Sequence, residues 1–368
     1  QVILIAWLFG AFLEGASGFG TPAAICAPLL VALGFPPLAA VVLALISNSF
    51  PVTYGSIGTT FLIGLAQGLQ QGPDLAPIVA DYLGSMTVME YIQIASVKTT
   101  LLNWLPGTFL PLFLSAMLTR FWGENKSWKE GLAIWKFALL AGFTFTTFAL
   151  LISIFLGPEF PTLLGSMLAL IIMVFLAKKG IFLPKQPWVF HSSAPSQFAQ
   201  FNEPLKIPTW KALSPYAIAT VILLITRMRF LPFYGWLNSI QTGWSSILGT
   251  EISTQFAPLY SPGAVFTLTA MISVFLLGAG KRELGSAIKT SSISLISSAI
   301  ALGTAVPLVR IFINSGINGL GLESMPIELA SSMASVLGPV WPLFAPFVGS
   351  LGAFISGSAT FSNLMFTL

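Results

Sequence analysis

Phe12-Leu13-Glu14-Gly15-Ala16-Ser17-Gly18-Phe19-Gly20-Thr21-Pro22 interrupts a run otherwise as apolar as a membrane helix, setting a carboxylate and two hydroxyls among glycines. Helical backbone must unwind there, and the proline starts the next helical piece at Ala23. Unwound backbone at membrane depth survives only where protein buries it or a watery cavity solvates it, so its free N–H and C=O groups can meet a ligand. Ser47-Asn48-Ser49-Phe50-Pro51-Val52-Thr53-Tyr54-Gly55-Ser56-Ile57-Gly58-Thr59-Thr60 has the same punctuation and is rich in short hydroxyl donors. Both read as broken helices with binding potential.

The rest of the chain fixes the solvent. Of 368 residues only 8% are charged, against roughly 25% in soluble domains, and mean hydropathy is +0.87. Too little polar surface exists to cover a globule in water, so a soluble enzyme and a disordered chain are excluded. The net charge of +4 does not indicate nucleic acid, because the basic residues stand singly between apolar runs. One cysteine, Cys26, and one histidine, His191, leave no disulfide framework and no metal cluster, and no cofactor is implied.

Apolar windows at 94–119, 132–156, 159–177, 213–229, 262–280 and 287–313 predict helical spans, while 1–33, 38–66 and 326–368 are interrupted by glycine, proline and small hydroxyl residues. Loop 120–131 carries Arg120, Lys126 and Lys129. Loop 178–212 carries Lys178, Lys179, Lys185, Lys206 and Lys211, and loop 281–286 carries Lys281 and Arg282. The alternate loops 67–93, 157–161, 230–261 and 314–325 carry no Lys or Arg beyond those ending the spans, so the first set is expected in the cytoplasm. The expected organisation is a first-repeat core with two broken helices at 1–66, then a periplasmic loop and span at 67–119. Further spans with the three cytoplasmic loops follow at 120–325, and a second-repeat core begins at 326–368. The first span opens without a preceding loop and the second core stops before any counterpart of 38–66, so more spans are expected at both ends.

The repeat is visible in residues. Gly10-Ala11-Phe12-Leu13-Glu14-Gly15-Ala16 matches Gly352-Ala353-Phe354-Ile355-Ser356-Gly357-Ser358 at a constant offset of 342, with Phe19 falling on Phe361. Repeats with broken helices in corresponding places point to a secondary transporter with its site between them. The fold class is therefore an all-α polytopic membrane protein with internal repeats and discontinuous helices.

The run Gly10–Pro22, the segment Leu29-Leu30-Val31-Ala32-Leu33-Gly34-Phe35, the Asn48–Gly58 segment and Gly352–Phe366 closely resemble the bacterial L-lactate permeases, in order along the whole chain. The resemblance implies a proton-coupled importer of lactate and related 2-hydroxy acids such as glycolate in the bacterial inner membrane. Where the family pattern carries Gly-Ser-Asp-Thr, this chain reads Gly357-Ser358-Ala359-Thr360 and lacks the carboxylate.

A 2-hydroxy acid needs helix N-termini or a cation for its carboxylate and Ser, Thr or Asn for its hydroxyl. Candidate substrate residues are therefore Ser17, Gly18, Gly20, Thr21, Asn48, Thr53, Ser56, Arg310, Ser356, Ser358, Thr360 and Asn363, with half-helices expected to begin after Gly20 and after Gly55. Glu14, the acidic residue inside an apolar break, is the candidate proton carrier, since intramembrane acids are costly and usually functional. Each residue also has a plainer reading. Backbone N–H groups of its own break suffice to hold Glu14, Arg310 and Lys98 are long enough to snorkel, and Arg227 and Arg229 end a span as anchors. Trp122, Trp128 and Trp236 suit an interfacial belt. The partners expected are a small organic anion, a proton and the bilayer, with a homo-oligomer compatible. A membrane enzyme lacks a concentrated catalytic set. A channel, a carrier for another small anion and coupling to another ion remain alternatives.

Overall fold

The computed structural model describes residues 1–368 except 19, 72–73, 185–187, 189, 191–207, 228–230, 246–253 and 368. Phe19, His191, Lys185, Lys206 and Arg229 thus lie outside the described residues. Residues 1–199 with 301–368 form one compact unit and 200–300 a second. The first contains α1 (Ile3–Ser17), α2 (Thr21–Ala32), α3 (Pro37–Ser47), α4 (Pro51–Gly68), α5 (Pro77–Leu83), α6 (Val88–Trp122), α7 (Trp128–Leu132), α8 (Trp135–Leu156) and α9 (Pro161–Lys178). The second contains α10 (Thr209–Arg227), α11 (Pro232–Ser239) and α12 (Pro262–Leu277), and the division between the units falls within α13 (Lys281–Ile313). Chain order then gives α14 (Met325–Leu337), α15 (Trp341–Ser356) and α16 (Ala359–Phe366). Two short antiparallel hairpins, β1 (Gln70–Gln71) with β2 (Asp74–Leu75) and β3 (Thr242–Trp244) with β4 (Thr254–Phe256), occupy loops.

Among the described residues each predicted span is mainly helical. Among the described residues α6, α8, α9 and the pair Met325–Ser356 are long and apolar enough to cross a membrane, and α3 with α4 makes a fifth, bent by 52°. This is an all-α polytopic membrane fold.

Local chemistry starts and packs these helices. Thr87 N–H donates to Glu90 Oε2 at 2.7 Å and Glu90 N–H to Thr87 Oγ1 at 3.3 Å, a reciprocal cap that opens α6. Small residues bring α6 and α8 together: a methyl group at Gly107 would meet Thr146 and Phe50, and one at Gly142 would meet the backbone of Thr108. Hydroxyls bridge the same seam, with Thr108 Oγ1 3.1 Å from Thr146 Oγ1, and Trp104 Nε1 donates to Thr147 Oγ1 at 3.0 Å. Lys98 is exposed on α6, as snorkelling requires, and Trp128 and Trp236 are exposed as well.

The first interruption, expected as a broken helix, is a reversal of the chain. Cys26 Sγ donates to Ile5 O at 3.3 Å, and Gly10 faces both Pro22 and Cys26, so α1 and α2 run back along each other. Gly18 and Gly20, at φ 65° and 76°, supply the backbone that turns the chain. At the open end of this hairpin Phe35 meets Phe190 edge-on at 5.2 Å, and Trp188 Nε1 donates to Glu130 Oε2 at 2.9 Å. The open end thus sits with Phe190 and Trp188, and through Trp188 with Glu130 of α7.

α15 and α16 form a similar hairpin, with Ser362 Oγ donating to Gly349 O at 2.7 Å and Gly357 at φ 66° in the turn. Ser17 Oγ donates to Leu13 O at 2.8 Å and Ser356 Oγ to Gly352 O at 2.7 Å, the same bond in both hairpins. Ser17 therefore corresponds to Ser356 at an offset of 339, pairing Gly10 with Gly349, Gly18 with Gly357 and Thr21 with Thr360. The Gly10–Gly352 match at 342 is three residues out of step with the turns. In the structural register Glu14 corresponds to Ala353.

The second interruption is a true bend. Ser56, Ile57 and Gly58 take successive left-handed conformations (φ 47°, 58° and 71°), and right-handed helix resumes only at Thr59. The half-helix expected directly after Gly55 therefore begins four residues later.

Candidate functional site

The hairpin tip and the α3–α4 bend cross, and the crossing buries an acid. Glu14, on the last full turn of α1, is 2% exposed. Asn48, just after α3, donates from Nδ2 to Glu14 Oε2 at 3.2 Å. Oε1 occupies the space a methyl group at Gly55 would need, and a methyl group at Gly18 would collide with Ser56. The glycines are thus requirements of close approach, and they gather Glu14, Gly18, Asn48, Gly55 and Ser56 into one place. On the other side Gly15 lies against Thr162 and Leu163 of α9.

Several candidate hydroxyls have backbone partners here. Thr21 Oγ1 and N–H both donate to Gly18 O, at 2.7 and 3.1 Å, and Gly18 N–H donates to Glu14 O at 2.8 Å, so the tip closes on itself. Thr53 Oγ1 accepts from Asn103 Nδ2 at 3.5 Å, and Gly20 is exposed. In the second hairpin Ser356 Oγ also reaches Ser358 O at 3.0 Å, and Ser358 Oγ accepts from Phe361 N–H at 3.4 Å to cap α16. Asn363 Nδ2 donates to Thr60 O at 3.2 Å, while Thr360 and Asn363 fill the space above Gly64. The second-copy residues thus pack on the distal half of α4, and Glu14, Gly18, Asn48 and Ser56 form the crossing. Arg310 lies on α13, and its side chain lies outside the described residues.

Sequence reasoning passed over what holds the bend. Tyr54 OH donates to Ser96 O at 2.6 Å and lies 2.5 Å from Thr100 Oγ1. Ser96 Oγ is 2.8 Å from Ser153 Oγ, and Gln93 Nε2 donates to Ser153 O at 2.6 Å. Thr162 Oγ1 donates to Pro51 O at 3.1 Å. The signal was available: Gln93, Ser96, Thr100 and Asn103 recur at helical spacing on one face of an apolar helix. Trp7 was also missed. It is wholly buried against Phe50 and Phe145, with centroids 5.9 and 5.3 Å away, in a segment wound as a π-helix, a form frequent at functional sites. Its indole N–H and the Asn48 Oδ1 are buried polar atoms without a hydrogen-bond partner.

A family model described as "L-lactate permease" matches residues 1–368. Glycolate permease GlcA of Escherichia coli is 30% identical, covering 100% of this chain and 64% of that protein. The putative L-lactate permease of Haemophilus influenzae is 28% identical over 100% of this chain and 65% of its own length, and the L-lactate permease of Bacillus subtilis 28% over 100% and 64%. The chain therefore spans a little under two thirds of these relatives. No solved structure matches it significantly. With its several membrane-length helices, this chain is a multi-pass protein of the bacterial inner membrane and belongs to the L-lactate permease family.

Proposed function

We propose that the chain forms the core of a secondary active transporter importing L-lactate and related small 2-hydroxy monocarboxylates, such as glycolate, together with a proton. The printed names of its relatives support the substrate class, and membership of a permease family argues for a carrier rather than an enzyme. Importing a monovalent anion against an inside-negative potential is opposed by about 2.3 kcal/mol per 100 mV, so the carrier gains by moving at least one proton along. The observation that carries the reading is Glu14: an acid 2% exposed, at the crossing of a helical hairpin and a bent helix, with an amide for its partner.

The substrate sits at this crossing, near Asn48, Ser56 and the hydroxyls of Ser17 and Thr21. The test uses full-length protein in proteoliposomes. Glu14→Gln, which mimics the protonated acid, should keep exchange of labelled lactate for unlabelled lactate and lose accumulation driven by a pH gradient. Accumulation by that variant under a pH gradient alone would show that the proton travels elsewhere. Counterflow separates carrier from channel, since only a carrier gives transient overshoot of label into vesicles preloaded with unlabelled substrate.

A further inference from the structure

We infer that the Asn48 side-chain amide rotates when Glu14 changes protonation state, and that this rotation couples protonation of Glu14 to binding of the substrate's carboxylate. The inference rests on the reading of Glu14 as proton carrier and adds a named relay to it. A carboxylate offers only acceptors, and the amide meets it with its NH₂ group, Nδ2 to Oε2 at 3.2 Å. That orientation leaves Oδ1 buried and without a donor. Once Glu14 takes up a proton it carries an O–H that needs an acceptor, and the amide supplies one by turning about its Cβ–Cγ bond. No covalent bond in Asn48 changes, and the proton taken up stays on Glu14.

The turn exchanges the two ends of the amide. The space now holding a carbonyl oxygen, which opposes an anion, then holds an NH₂ group, which binds one. Protonation of Glu14 and docking of a carboxylate at Asn48 therefore favour each other through one side chain. The surroundings leave that side chain as the moving part. Asn48 N–H donates to Leu45 O and its carbonyl accepts from Val52 N–H, both at 3.1 Å, so the backbone is held. Behind Glu14, Gly55 presents only hydrogen. Among the described residues, the ionisable groups on the elements packed around α1 face other partners or solvent. Cys26 Sγ is turned to Ile5 O, Tyr54 OH is bonded to Ser96, Glu159 lies against Gly157, and Lys98, Lys136 and Lys178 are exposed.

Two readouts on full-length protein test the relay: affinity for labelled L-lactate across pH, and infrared difference spectra of the carboxylic-acid C=O band. In the wild type, affinity should rise as pH falls, and lactate should bring up an acid band that Glu14→Gln abolishes. In Asn48→Ala the band should still appear on acidification but at a shifted frequency, because its O–H has lost its acceptor. Affinity should become independent of pH and at least tenfold weaker than wild type at low pH. Asn48→Leu, which preserves volume without hydrogen bonding, should behave alike and serves if the alanine variant does not insert. An unshifted Glu14 band or a wild-type pH dependence in both Asn48 variants overturns the relay. An acid band that survives in Glu14→Gln overturns instead the assignment of the proton to Glu14. The band shift is read without substrate, so it judges the relay even if lactate proves not to bind.

Discussion

The two hairpins share a local grammar and differ in what surrounds it. Each turns at Ser-Gly-x-x-Thr, Ser17–Thr21 in one and Ser356–Thr360 in the other, and in each the serine hydroxyl donates to the carbonyl four residues back. In the first, α1 carries Glu14 one turn before the tip, and the α3–α4 bend closes on it through Asn48, Gly55 and Ser56. In the second the corresponding residue is Ala353, Ala359 opens α16, and a methyl group at Gly357 would meet open space. Turn chemistry alone therefore makes a helical hairpin, and a second element packed on the tip makes it a place where charge can be held.

Substitutions at matched positions put this contrast under strain. The largest effect is expected at Gly55→Ala, whose methyl group competes with the Glu14 carboxylate for one space: pH-driven uptake should fall at least tenfold. Gly357→Ala carries only the strain of a positive φ, roughly 1–2 kcal/mol of stability, and should leave uptake near the wild-type level. Equal loss in both would show that the crossing is not special. Next, Tyr54→Phe removes the hydroxyl that fixes the bend to α6 and leaves Thr100 and Ser96 short of a partner. It should cost about 1–3 kcal/mol, read as a lower melting temperature of the full-length protein in detergent, whereas an unchanged melting temperature would make that network dispensable. Ala359→Asp places a carboxylate at the second tip and should add a second titrating step to the pH profile of uptake, absent in Ala359→Asn. A profile identical to wild type would show that this turn is remote from the coupled proton. The smallest effects belong to Ser17→Ala, which loses its bond to Leu13 O, and Ser356→Ala, which loses the matching bond to Gly352 O and its contacts with Ser358, each bond worth about 0.5–1.5 kcal/mol. A smaller loss at Ser356 than at Ser17 would undo the equivalence of the two serines.

Which segments break was legible in the sequence, because glycine and proline are punctuation at any depth. Which way the chain leaves each break was not. Hydrophobic periodicity is the same for a helix that continues and one that doubles back, and only contacts such as Cys26 to Ile5 decide. The repeat register failed for a related reason: Gly-Ala-Phe recurs at 10–12 and 352–354 as an apolar triplet, while the turns obey Ser17 and Ser356. Glu14 and Asn48 were both legible as candidates, yet they are 34 positions apart, so their pairing awaited the fold. The left-handed Ile57 was invisible, since a β-branched residue is among the last expected at positive φ.

The bend at Ser56–Gly58 has a consequence for the order in which the protein is built. Left-handed backbone costs roughly 1–2 kcal/mol per non-glycine residue, so local preference does not form it. Ser56 is set by Gly18, which precedes it, but Gly58 lies against Pro158 and Glu159, about a hundred residues downstream. α4 therefore enters the bilayer before the loop that completes its bend has been synthesised. The Glu14–Asn48 crossing closes only after α8 and α9 have inserted, which makes it a late event in biogenesis. Ribosome-bound chains ending before Pro158 should accordingly leave a cysteine at position 56 open to alkylation, and chains extending past Lys178 should protect it.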